Sequence, residues 1–136
     1  MPRALLPALA ALLLGGCIFS SSNNRLNVLV QYEIIEEPRT TPPDIVMGFG
    51  SVQVIDGFET PGDCFNFASR ASQEGPVIEL IIERTQTPGC TGESTAWAYK
   101  AIITGLSEEA TRIGLSYGVA GQLVRKEYQL PAAPVD

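Results

Sequence analysis

The acidic side chains offer the most chemistry in this chain. Asp56, Glu59 and Asp63 flank a turn rich in glycine and proline, and oxygen ligands on a loop are what calcium requires. Their spacing does not follow the aspartate-rich EF-hand pattern. The segment therefore reads as a solvated loop, with a weak calcium site at Asp56, Glu59 and Asp63 as the alternative. Ser94 lies near Glu93 and Lys100, and serine beside lysine can serve as nucleophile and base. No S-x-x-K spacing and no oxyanion-hole glycine motif accompanies it. Glu79 and Glu83 share one face of an alternating segment, roughly 13 Å apart by strand rise. Paired carboxylates in inverting glycosidases stand roughly 6.5–9.5 Å apart, so the two read as a solvated outer face. The chain contains no histidine, which removes Ser-His-Asp and Cys-His catalysis and His-ligated zinc. No catalytic constellation remains; the chain reads as non-enzymatic, with no cofactor.

Nine Lys and Arg against 15 Asp and Glu give a formal charge of −6. That balance excludes a nucleic-acid binder, which needs a basic footprint to neutralise phosphates. The 136 residues suffice for one domain.

The elements that must position these groups are strands. Leu26, Val28, Val30, Tyr32 and Ile34 alternate with mostly polar residues, which predicts a half-buried strand. Three prolines within residues 36–44 predict an extended loop. Ile45 to Ile55 reads as one strand interrupted by Gly48 and Gly50, with Asp56-Gly57 opening a turn. Further strands are expected at 64–70, 77–84, 94–104, 111–119 and 123–130, with turns between them. Trp97, Tyr99, Ala101 and Ile103 share a face, which reads as core. Arg125 and Lys126 read as a solvated strand edge, where charge discourages aggregation.

The first residues form a different class of signal. Arg3 precedes an apolar run from Ala4 to Leu14, and Gly15-Gly16 are small residues of the kind a signal peptidase needs. The run is too short for a spanning helix, which needs about 20 apolar residues. Its ending, Leu14-Gly15-Gly16-Cys17, resembles the lipobox of bacterial lipoproteins. The resemblance implies a signal peptide over 1–16 and a mature chain beginning at lipid-modified Cys17. The polar residues after Cys17 read as a flexible tether over 17–25, the alternating segments as a β-domain over 26–130 and the last six residues as a disordered tail over 131–136. Ile18 rather than Asp at the second mature position suggests the outer membrane, periplasmic face, in a diderm cell. Losing Arg3 with the leader would take the charge from −6 to −7. Lipidation of Cys17 leaves Cys64 and Cys90 as an even pair, expected to form a disulfide in an oxidising compartment. Closing that loop of about 27 residues is worth roughly 3.5 kcal/mol.

Trp97-Ala-Tyr-Lys-Ala-Ile-Ile-Thr-Gly-Leu106 followed by Ile113-Gly-Leu-Ser-Tyr117 resembles a strand pair of immunoglobulin-like and transthyretin-like modules. Trp97 follows both Cys64 and Cys90, whereas antibody-type domains hold their tryptophan between the bridging cysteines. The expected fold is all-β, an antiparallel immunoglobulin-like sandwich of about seven strands. Phe58 and Glu59, in the expected turn, are the candidate interface. The expected function is a membrane-anchored envelope lipoprotein, a binding or accessory subunit for a protein or glycan partner. The alternative is a protease-inhibitor-like module presenting loop 56–63 or loop 85–93.

Overall fold

The computed structural model describes residues 24–86 and 92–132. The leader, Cys17, most of the tether, Cys90 and the last four residues lie outside the described residues. Eight strands follow in order: β1 (Arg25–Ile35), β2 (Asp44–Gly48), β3 (Ser51–Thr60), β4 (Phe65–Glu74), β5 (Val77–Gln86), β6 (Thr95–Thr104), β7 (Arg112–Val119) and β8 (Gln122–Gln129). They form one curled sheet in the order β2-β3-β6-β1-β4-β5-β7-β8.

Local sequence explains most of these strands. In β1, Leu26, Val28, Val30 and Tyr32 turn inward while Asn27, Gln31 and Glu33 stay exposed. In β5, Ile78, Leu80 and Ile82 are all but fully buried; in β6, Trp97, Tyr99, Ala101 and Ile103 are buried. These residues meet Ile113 and Leu115 of β7 and Val52, Val54 and Phe58 of β3 in the core inside the curl. The bend of the sheet lies at β1 and β4, which pair only at Arg25 with Ser72 and Leu26 with Ala71. From Asn27 onward β1 pairs instead with β6.

Three expectations require correction. First, Ile45 to Ile55 is two strands: β2 and β3 form a hairpin turned at Phe49-Gly50, where Gly50 takes φ +67°. Second, Asp56-Gly57 is not a turn, because β3 continues to Thr60, paired with β6 along its whole length. Third, the strands form one curled sheet instead of a two-sheet antiparallel sandwich, and β5 and β7 are parallel from Val77↔Arg112 to Glu83↔Gly118. Parallel strands need a long crossover. Here β6, added to the far half of the sheet, is the crossover. The chain returns at the start of β5, where Thr111 and Arg112 donate backbone N–H bonds to the Pro76 carbonyl.

The outer face of β4, β5 and β8 carries ion pairs. Glu83 pairs with Arg70, and Glu79 pairs with Arg125 of β8 across β7. Gly114 of β7 makes that crossing possible: a Cβ there would lie 2.5 Å from the Arg125 guanidinium and the Glu79 carboxylate. The hydrogen bonds that Arg125 donates to Glu79 and then to Glu127 hold it above its ordinary pKa.

A candidate ligand-binding cleft

The curl brings β8 near β3 without pairing them, and the segment 38–43 lies between. The result is an open cleft of about 510 Å³. Period-two alternation explains its floor. Val52, Val54, Asp56, Phe58 and Thr60 share the inward face of β3, so Asp56 points the same way as the buried Phe58. Tyr99 is the direct β6 partner of Asp56. Lys126 and Tyr128, on alternate positions of β8, supply the opposite wall.

Arg39 ties the proline-rich segment over this floor. Its guanidinium donates to the Pro42 carbonyl at 3.2 Å and to Asp44 Oδ2 at 3.4 Å. Its Nε faces Asp56 Oδ1 at 3.9 Å, beyond hydrogen-bond distance. That Nε is buried and has no hydrogen-bond partner among the described residues. The cleft thus presents the Arg39–Asp56 ion pair, a lysine and tyrosine side chains over an aromatic floor. Such a set suits a polar ligand with both donors and acceptors.

Burial is the largest influence on Asp56 and raises its pKa; the Gly57 N–H and the charges of Arg39 and Lys126 offset part of that rise. Burial, and then the charge of Asp56, also raise Tyr99 and Tyr128. A carboxyl whose pKa rises on folding stabilises the fold when protonated. That contribution is complete below the unfolded value of about 3.9 and is lost as pH climbs through the higher folded value. Asp56→Asn removes this titration. The variant is expected to match the parent in strong acid and to exceed it in stability at neutral pH, as urea unfolding across pH 3–8 would read. A stability gap independent of pH would show that Asp56 does not titrate differently on folding.

Other groups singled out from the sequence are dispersed. Phe58 is buried at 7% exposure, not an exposed interface residue. It sits in an aromatic cluster with Phe67, Tyr99 and Tyr117 at centroid distances of 5.2, 5.9 and 5.1 Å. Glu59 is exposed, on the strand face opposite Asp56, and accepts a hydrogen bond from Ser94 at 3.4 Å. Asp63 lies in the bend before β4, beside Gly92. Asp56, Glu59 and Asp63 therefore do not converge. No group of three acidic or cysteine side chains able to hold a metal occurs among the described residues. Lys100 sits mid-strand between Gln31 and Ile55, away from Ser94. Residues 56–60 of the expected loop 56–63 belong to β3, and most of loop 85–93 lies outside the described residues. Cys64 stands just before β4.

Extending the Val52–Val54 alternation by two steps would have placed Asp56 and Phe58 inside. Nothing in the sequence shows that residues 38–43 fold back over them. Comparison with protein-family models, with curated proteins and with solved structures found no match.

Proposed function

We propose that this is a membrane-anchored lipoprotein of the bacterial envelope, non-enzymatic, serving as a binding or accessory subunit through the Arg39–Asp56–Lys126 cleft. The observation that carries the reading is the apolar run ending in Leu14-Gly15-Gly16-Cys17, with a β-domain opening at Arg25 soon after. About eight residues from Cys17 to Arg25 span at most roughly 25–30 Å when extended. The anchor therefore keeps the domain close to the bilayer. Two or more acyl chains hold a protein on a membrane where one holds it only marginally. No helix long and apolar enough to cross a membrane occurs among the described residues.

A Cys64–Cys90 disulfide belongs to the same reading. Gly62 and Asp63 stand against Gly92, since a Cβ built on Gly62 would lie 3.7 Å from the Gly92 nitrogen. That contact brings the chain two residues before Cys64 to the chain two residues after Cys90. It is fixed by Trp97, whose indole N–H donates to Thr60 Oγ1 at 2.8 Å while the Thr60 hydroxyl donates to the Gly62 carbonyl.

The test is detergent phase partitioning of the tagged protein, with mass spectrometry of its N-terminal peptide and of co-purifying partners after cross-linking. The parent is expected in the detergent phase with an acylated Cys17 peptide and with Cys64 and Cys90 joined. Cys17→Ser is expected to lose the acylated peptide and the anchored partner together. An unmodified Cys17 in the parent would overturn the proposal.

A further inference from the structure

One end of the sheet gathers unusual apolar exposure. Phe49, at the tip of the β2–β3 hairpin between Gly48 and Gly50, is 73% exposed. Just behind it on the outer face runs a cross-strand row. Leu29 pairs with Ile102, Ile102 with Gln53, and Gln53 with Val46. Leu29, Ile102 and Val46 of that row are exposed. Two residues nearer the tip lies the row Asn27, Thr104, Ser51 and Gly48. At a strand rise of about 3.3 Å, the apolar row sits about 7 Å behind that last one. Large exposed apolar patches mark interaction surfaces.

The same end is where the tether enters. Asn24 precedes β1, and its carbonyl accepts from the Gln73 N–H. The β6–β7 connection closes this end as well, because Gly105 and Leu106 both donate to the Gly50 carbonyl that follows Phe49. Phe49 and the start of the domain thus lie at one end, and the chain between Asn24 and Cys17 is about seven residues, at most roughly 25 Å long.

We propose that this end is a second membrane contact, with Phe49 seated in the interfacial layer of a zwitterionic bilayer beside the lipid on Cys17. The proposal rests on the lipoprotein reading, which supplies the bilayer. Phe, with Trp and Leu, makes up the apolar faces of segments that lie in the membrane interface. Apolar faces that lie on bilayers seat about 5–10 Å deep, which reaches from Phe49 to the Leu29–Ile102–Val46 row. Glu74, Glu108 and Glu109 are exposed at this end, against Arg25. Their charge disfavours an anionic surface, which sets the preference for zwitterionic headgroups. Contact at Phe49 would fix the orientation of the domain and turn the opposite end, with the 36–44 loop, away from the lipid.

The experiment uses the full mature protein reconstituted in phosphatidylcholine vesicles containing brominated phosphatidylcholine. Phe49→Trp places an indole at the tip, and Ala120→Trp places one at the β7–β8 hairpin of the opposite end. The native Trp97 is the single tryptophan and is buried, so it supplies a steady background. The added emission of Phe49→Trp is expected to fall by about half, as contact within a layer about 5–10 Å deep allows, with Ala120→Trp unaffected. Replacing part of the lipid by phosphatidylglycerol is expected to weaken the quenching. Equal emission of both variants with and without bromine, while the Cys17 peptide is acylated, would overturn this contact and leave the lipoprotein reading standing. Stronger quenching in phosphatidylglycerol would overturn the zwitterionic assignment. An unmodified Cys17 would sink both.

Discussion

Phe58→Ala is expected to destabilise the domain by about 3–5 kcal/mol, the range for deleting a buried aromatic ring. Phe58 is, with Phe67, a ring that joins the two halves of the curled sheet. It stacks on Tyr117 of β7, meets Phe67 of β4 edge-on, and lies tilted against Tyr99 of β6 and Tyr32 of β1. The halves share few backbone pairs, because β1 and β4 pair at two positions only. Side-chain packing across the curl must therefore supply what the ladder does not. Phe58→Leu keeps most of the volume and is expected to cost under about 1.5 kcal/mol if ring–ring geometry adds little. A larger loss would measure the aromatic contribution itself. Urea unfolding of the two variants reads both numbers. An alanine variant within about 0.5 kcal/mol of the parent, the range of surface substitutions, would mean that Phe58 is not in the core.

Gly118→Ala is expected to cost several kcal/mol for two separate reasons. The residue holds φ +143°, a backbone conformation that side chains avoid, and such strain costs about 1–3 kcal/mol. A Cβ there would also lie 2.5 Å from the backbone carbonyl of Gln122. That carbonyl belongs to β8, so relief would require moving the strand, and overpacking of this kind costs about 1–3 kcal/mol more. Gly121 separates the two causes. It takes φ +86° with nothing within 4 Å, so Gly121→Ala carries the strain without the collision. The expected order of stability in thermal unfolding is parent, Gly121→Ala, Gly118→Ala. Equal losses at both positions would show that the β8 carbonyl yields freely.

The two variants mark different depths of legibility. The strand content was readable because alternation is local. Ile78, Leu80 and Ile82 announce β5, and Trp97, Tyr99, Ala101 and Ile103 announce β6 and its buried face. Arg125 and Lys126 were readable as a solvated edge, and β8 does end the sheet. The hairpin at Phe49-Gly50 is half visible: Gly48 and Gly50 interrupt the pattern, but the run of Val and Ile on both sides reads as one strand. At Asp56-Gly57 the turn signal misled. Turn residues raise the chance of a turn, yet the full-length ladder with β6 overrode that preference.

By itself the sequence determined an all-β domain and the periods of most of its strands. Each period is written within a dozen neighbouring residues. The tertiary structure alone decided that β5 and β7 run parallel, that Asp56 and Phe58 turn inward, and that Arg39 lies over them opposite Lys126. The physical reason is that alternation specifies two faces of a strand but neither names its partner nor says which face is covered. Those choices depend on pairings between residues far apart in the chain, such as Val77 with Arg112 and Asp56 with Tyr99. The cleft is a product of the curl, which sets β8 at one edge of the sheet near β3 in its other half.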